Sequence, residues 1–304
     1  MSQPTRPSPL PDVAADPVAL ARPLDWVGMD NIALPVRIAG QGGEAMQVAA
    51  SVDVAVDLRD PDARGIHMSR LYLRLQDAFA AEAITPGGLR RVLDDLVDSQ
   101  QGLSRSARLA VRYEHLLQRG SLASGLQGWK GYPVAIEAVL RDGHIKVALA
   151  LEVGYSSTCP ASAALSRQLN ARRFAEDFAA ARPLSTDVVR DWLASERGLA
   201  ATPHAQRSRA KVRVELRQSF DGLPVAALVD LLEAALGTPV QAAVKREDEQ
   251  AFAELNAANL MFCEDAARRV ATALAADPRV ERFDAEVSHF ESLHPHDAVA
   301  RVSG

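Results

Sequence analysis

The sequence of 304 residues holds only two cysteines, Cys159 and Cys263. Two thiols make no disulfide framework, so each is read on its own chemistry, and the chain is expected in a reducing, cytoplasmic compartment. No apolar run approaches the roughly 20 residues that a membrane helix needs, and the N-terminus lacks the unbroken apolar core of a signal peptide. Excess positive charge is missing too: 34 Lys and Arg stand against 39 Asp and Glu, a formal net charge of −5. That balance excludes a broad nucleic-acid surface, which needs clustered cations, and leaves room for a small anion in a local basic pocket. The sequence also lacks a Gly-x-x-x-x-Gly-Lys-Ser/Thr loop, a Gly-x-Gly-x-x-Gly turn after a strand and a His-Glu-x-x-His helix. A bound nucleotide is therefore held by other means.

What is present is globular in composition, with 48% hydrophobic and 24% charged residues, and long enough for two domain-sized units. Residues 1–24 carry Pro4, Pro7, Pro9, Pro11, Pro17 and Pro23 with little apolar patterning, and read as a disordered, proline-rich arm. From Trp26 the chain alternates. Val52, Val54, Val56 and Leu58 share one face of a strand, with Gly40, Gly42 and Gly43 in the turn before it. Helical spacing follows: Ser69 is placed to cap a helix bearing Leu71, Leu75 and Phe79, and a second opens near Pro86. Alternation then returns in Arg108–Leu117, Tyr132–Leu140 and Ile145–Val153, with Asp142-Gly143 as a turn.

The second half repeats the theme, with a strand at Lys211–Arg217, a helix opened by Pro224, a helix over about 262–276 and a strand through Phe283, Ala285 and Val287. The expected fold is α+β, with two tandem modules of antiparallel sheet, each with paired helices on one face. The modules are expected over residues 25–158 and 159–304, with a helical insertion at about 163–203.

Several stretches carry chemistry. Tyr155-Ser156-Ser157-Thr158-Cys159-Pro160 places a thiol just past a strand end, where Pro160 cannot extend the ladder; a buried, inert cysteine is the bland alternative. In Glu291-Ser292-Leu293-His294-Pro295-His296-Asp297 two imidazoles flank a proline that keeps His294 out of the helical region. Such a pair moves protons, binds metal or holds phosphate, or simply forms a surface turn. His204 lies near Arg207 and Arg209, and His67 lies just before a helix, where anions are often bound. Lys245-Arg246-Glu247-Asp248-Glu249 reads most simply as a charged helix start, Cys263 as core, and His115, His144 and His289 as structural.

Seven stretches in order resemble the type IB GTP cyclohydrolases: Leu24–Met29, Arg64–Arg70, Ser157-Thr158-Cys159-Pro160, His204–Ser208, Val244-Lys245-Arg246-x-Asp248-Glu249, Phe262-x-Glu264-Asp265 and Glu291–His296. The resemblance spans nearly everything beyond the arm. It implies a tunnelling fold whose sheets assemble into barrels, a homotetramer, and conversion of GTP and water to formate and 7,8-dihydroneopterin triphosphate, the first step of tetrahydrofolate biosynthesis. Carried over residue by residue, it implies a zinc or manganese ion held by Cys159, His204 and Glu249. Glu264 would anchor the guanine edge, and Glu291, His294 and His296 would line the reacting end, with Cys159 catalytic as well as a ligand. Arg207, Arg209, Lys245 and Arg246 are the candidates for the triphosphate, with His67 also binding substrate.

One departure bears on the metal. The spacing from Cys159 to His204 is much longer than in many relatives, so the ligand set requires the insertion to loop out and return. Failing that, His294 or His296 is the better third ligand. Two other classes remain open: a related purine or pterin enzyme using Cys159 as a covalent nucleophile, and a non-catalytic purine- or pterin-binding protein.

Overall fold

The computed structural model describes residues 18–180, 183–217 and 222–304. The expected arm lies outside the described residues as far as residue 17. Eight strands follow one another in the chain as β1 (Leu24–Ala39), β2 (Ala45–Leu58), β3 (Ala107–Gly120), β4 (Gln127–Arg141), β5 (His144–Thr158), β6 (Ala205–Leu216), β7 (Val280–His289) and β8 (Ala298–Ser303). Seven helices are described: α1 (Met68–Ala81), α2 (Pro86–Asp98), α3 (Pro160–Asp177), α4 (Thr186–Leu193), α5 (Val225–Leu236), α6 (Arg246–Ala258) and α7 (Cys263–Ala276).

The expectation of a tunnelling fold built as two tandem sheets is corrected here. The strands make one eight-stranded sheet in the order β1-β2-β3-β4-β5-β6-β7-β8, each bonded to its neighbours in sequence. The physical reason lies between β5 and β6. β5 presents an edge of unpaired backbone groups, and β6 satisfies it directly, so no free edge is left at which a second sheet would begin.

Local chemistry explains most elements. Gly43 has φ 86° in the β1–β2 turn, and Asp142 and Gly143 both have positive φ between β4 and β5, as a two-residue hairpin turn demands. Thr85 caps α2 by accepting from the Gly88 amide at 3.0 Å, with Pro86 in the first turn. α1 begins one residue before the Ser69 expected to cap it; His67 occupies the cap position without a side-chain bond.

The described residues form two compact units. His115–Tyr132, Ala150–Arg217 and Pro224–Gly304 make one, and the remaining described residues make the other. In the latter, Leu71, Leu75 and Phe79 of α1 and Leu89, Leu93 and Leu96 of α2 are buried together with Val52, Val54 and Val56 of β2. In the former, Leu228 and Leu232 of α5 and Val270 and Leu274 of α7 are buried with Val212, Val214 and Val287 of the sheet. Each such side chain contributes about 1.5–3 kcal/mol by leaving water.

Gly28, in the first resembling stretch, sits opposite Ala55 in the β1–β2 ladder. A Cβ there would lie 1.9 Å from the Val54 carbonyl oxygen and 2.5 Å from the Ala55 Cα, both backbone atoms with no room to yield. Gly28→Ala is accordingly expected to cost about 3 kcal/mol of stability by overpacking, read as a lower urea midpoint at unchanged slope. A variant as stable as the parent would show that the ladder is not this close.

Candidate functional site

The candidate site is built in the unit that contains β6 to β8. β5 stops at Thr158 because Pro160 has no N–H for the ladder, and the same proline opens α3. Cys159 is thereby left as the cap of α3, half-buried, its Sγ accepting the Ser162 amide at 3.4 Å. The chain then runs out through α3, α4 and a short 3-10 helix at Glu196–Gly198, and comes back. The Cys159 amide donates to the His204 carbonyl at 3.2 Å, and the His204 amide donates to Ser162 Oγ at 3.1 Å.

The excursion closes on itself. Phe174, Phe178 and Trp192 pack ring on ring, with centroids 4.9 to 6.1 Å apart. Asp177 accepts the Trp192 indole N–H at 2.8 Å and pairs with Arg197, which holds its carboxyl well below the usual range. Asn170 bonds the Ala201 backbone through both ends of its amide. These ties return His204 to the backbone of Cys159 across a long insertion.

The imidazole of His204 is oriented by Gln206, two residues along β6. His204 Nδ1 lies 2.9 Å from Gln206 Oε1, and Gln206 Nε2 donates to Glu291 Oε1 at 3.4 Å. Since a carbonyl oxygen only accepts, Nδ1 donates in this contact. Glu291 Oε2 lies 3.8 Å from the same Nδ1. Thus Cys159, His204, Gln206 and Glu291, from three separate stretches, converge beside the end of β5.

Glu264 is brought to the same region. Thr158 accepts the Met261 amide at 3.2 Å, which pins the approach to α7 beside the residue preceding Cys159. Glu264 is exposed in the first turn of α7, where the helix dipole favours a carboxylate. Arg207 is tied to the segment bearing Glu291, its carbonyl accepting the Phe290 amide at 3.1 Å. A cavity of about 330 Å³ is lined by Arg207 and Glu249 together with Tyr155, Ser156, Gln241 and Phe252.

Other expected residues lie outside the group of Cys159, His204, Gln206 and Glu291. Lys245, Arg246 and Glu249 are exposed around the start of α6, and Arg209 lies over the Phe290 ring at 5.4 Å. His294 and His296 are exposed between β7 and β8, where their rings stack on each other 5.1 Å apart. Among the described residues neither ring is hydrogen-bonded to Cys159, His204 or Glu291. His67 belongs to the other unit, where its backbone is clasped by the buried Gln100 amide, the His67 N–H donating to Oε1 at 2.8 Å. Among the described residues no group of three or more His, Cys, Asp and Glu is arranged to hold a metal ion. Cys159 and His204 adjoin through their backbones, but Glu249 does not complete a cluster with them within one chain.

Sequence reasoning passed over Gln206, the second residue of β6, two positions after His204. His289, read as structural, is buried, and its partner Tyr155 was not foreseen. The Tyr155 hydroxyl lies 2.8 Å from His289 Nε2 in the buried interior beneath this region, and nothing local in the sequence joins them. Burial pushes the Cys263 thiol up to about 11, with the Glu264 carboxylate adding to it, in keeping with a core thiol.

A family model described as type I GTP cyclohydrolase folE2 matches residues 10–300. Among solved structures, the uricase from Arthrobacter globiformis is similar with a TM-score of 0.48 at 9% identity, covering 92% of this chain and 93% of that one. A uricase from Bacillus fastidious is similar with a TM-score of 0.47 at 9% identity, covering 92% and 93%.

Proposed function

From the premise that the chain belongs to the type I GTP cyclohydrolase folE2 family, we propose that it is a type IB enzyme converting GTP and water to formate and 7,8-dihydroneopterin triphosphate, the first step towards tetrahydrofolate. The observation that carries this reading is the convergence of Cys159, His204, Gln206 and Glu291 beside Glu264 at the end of one strand.

The chemistry explains why such a set is needed. Opening the five-membered ring of guanine requires water to add at C8, and each later step moves a proton. In the proposed reading Glu264 accepts from the N1 and N2 donors of guanine, a pattern adenine does not offer. Glu291, held by Gln206 and close to His204, takes and returns protons at the reacting carbon. His294 and His296 serve the ring opening and the ribose rearrangement, which requires the exposed segment bearing them to swing towards the substrate. Arg207, Lys245 and Arg246 offer cations to the triphosphate, with His67 as a further contact.

A zinc or manganese ion belongs to the same proposal, with Cys159, His204 and Glu249 as its ligands. These residues fit it in part: Cys159 and His204 are held together backbone to backbone, whereas Glu249 is not grouped with them in one chain. Such an ion, when bound, lowers the pKa of its water from 15.7 to about 7 and so supplies hydroxide at neutral pH. A homotetramer in the cytoplasm is the assembly and place proposed. Among the described residues no helix is long and apolar enough to cross a membrane.

The test is direct. Purified protein incubated with GTP is expected to release formate and a fluorescent pterin, to stop after chelation, and to resume when zinc or manganese is restored. Protein that leaves GTP intact with either ion ends this reading, and turnover unaffected by chelation ends its metal part.

A further inference from the structure

Asp248 lies in the first turn of α6 and is wholly buried, although Glu247 and Glu249 on either side are exposed. Its carboxylate accepts four hydrogen bonds. Oδ1 takes the amides of Ala123 at 2.7 Å and Ser124 at 2.9 Å; Oδ2 takes Ser124 Oγ at 2.5 Å and the Lys245 amide at 2.8 Å. These are all the lone-pair positions a carboxylate offers, and they draw its pKa well below the usual range although burial opposes them.

Capping a helix does not require this. An exposed Ser or Asp satisfies the same end, while burying a charge carries a desolvation cost that the four bonds to Asp248 offset. Here the bonds tie two places distant in sequence, the β3–β4 turn and the start of α6.

The chain leading into α6 is held along its length as well. The Val240 amide donates to the Gly154 carbonyl at 3.3 Å, and Lys130 Nζ donates to the Val240 carbonyl at 3.1 Å. Gly128 approaches so closely that a Cβ there would lie 2.8 Å from that of Ala242 and 3.0 Å from that of Ala243. This fixed platform ends in two exposed cations, Lys245 and Arg246. Flexible side chains hold a polyanion well only when their backbone is already set.

We propose that Asp248 is a positioning residue: with Ser124 it locks the first turn of α6 and so sets where Lys245 and Arg246 meet the triphosphate of the substrate. This rests on the function proposed above.

The experiment uses inorganic tripolyphosphate as probe, with affinity by calorimetry on the full chain, beside GTP kinetics. Asp248→Asn turns an amide N–H towards backbone donors, and its Kd for tripolyphosphate and KM for GTP are each expected to rise about tenfold, with kcat within about threefold. Ser124→Ala removes one of the four bonds and is expected to weaken both by about threefold, whereas the neighbouring Glu247→Gln leaves them unchanged. A purely structural role would lower the thermal midpoint without this split between KM and kcat. Folded Asp248→Asn with parental affinity overturns the proposal; should that variant not fold, Ser124→Ala with parental affinity overturns it. A parent chain that does not bind tripolyphosphate overturns it too, and GTP turnover by that chain decides the function separately.

Discussion

Replacing Cys159 by alanine is expected to lower GTP turnover by at least about 1,000-fold while moving the thermal midpoint by only a few degrees. The structural part is small because the thiol does little for the fold. It accepts one long bond from the Ser162 amide as the cap of α3, worth about 1 kcal/mol. The contacts that bring the excursion back, Cys159 N–H to the His204 carbonyl and His204 N–H to Ser162 Oγ, involve no sulfur. The functional part is large because the other cysteine, Cys263, is buried with its Sγ donating to the Val287 carbonyl at 3.3 Å.

The check is formate release together with thermal melting and bound metal on the same samples. Cys159→Ser keeps an acceptor for the helix cap but replaces a soft thiolate with a poor ligand, so it is expected to be nearly as inactive. Loss of activity with loss of bound zinc supports a ligand role. The same loss in a parent enzyme indifferent to chelators supports a covalent one. Parental turnover by the serine variant removes the thiol from the chemistry altogether.

How much was legible in the sequence varied with the range of the interaction. The turn at Asp142-Gly143 and the face of Val52, Val54 and Val56 follow from local rules, and both stand as read. β8 (Ala298–Ser303) was not anticipated: six residues behind a histidine-rich segment show too little alternation to separate from a loop, and only pairing with β7 makes them a strand. The single sheet was misjudged for a related reason. A period-2 pattern gives a strand and its inward face, but not the neighbour that takes its edge, and the long excursion between β5 and β6 hid that they are neighbours. At the site, residue types were visible and partners were not. Cys159 and His204 stood out as chemistry, whereas Gln206, which fixes the imidazole, and Asp248, which anchors α6, look like an ordinary strand amide and an ordinary helix-start acid.

Acid is expected to remove about 3 kcal/mol of stability between pH 6.5 and 4 through one histidine, His289. Its side chain ends β7 in the interior, with the Tyr155 hydroxyl 2.8 Å from Nε2 and the two rings edge to face. Burial pushes the imidazole down to about 4 from its ordinary value of 6.5, and the nearby Glu264 carboxylate only partly opposes this. Tyr155 and Cys263, whose ionisation burial drives upward, stay neutral throughout and do not join the titration. Between the two values the unfolded chain binds a proton that the folded chain refuses. Stability therefore rises with pH across this window: the contribution is complete above 6.5 and lost as pH falls towards 4. The buried carboxylates Asp57, Asp248 and Asp277, all held below 3.8, lose their contributions only at lower pH. His115, also lowered by burial, acts in the same direction and has to be subtracted. Urea unfolding of the parent and of His289→Gln at pH 7, 5.5 and 4.5 makes that subtraction. The variant keeps a partner for Tyr155, loses stability at pH 7 and is expected to draw level with the parent as the pH falls; a gap between the two that stays constant would mean that His289 takes up its proton as readily in the fold as in the unfolded chain.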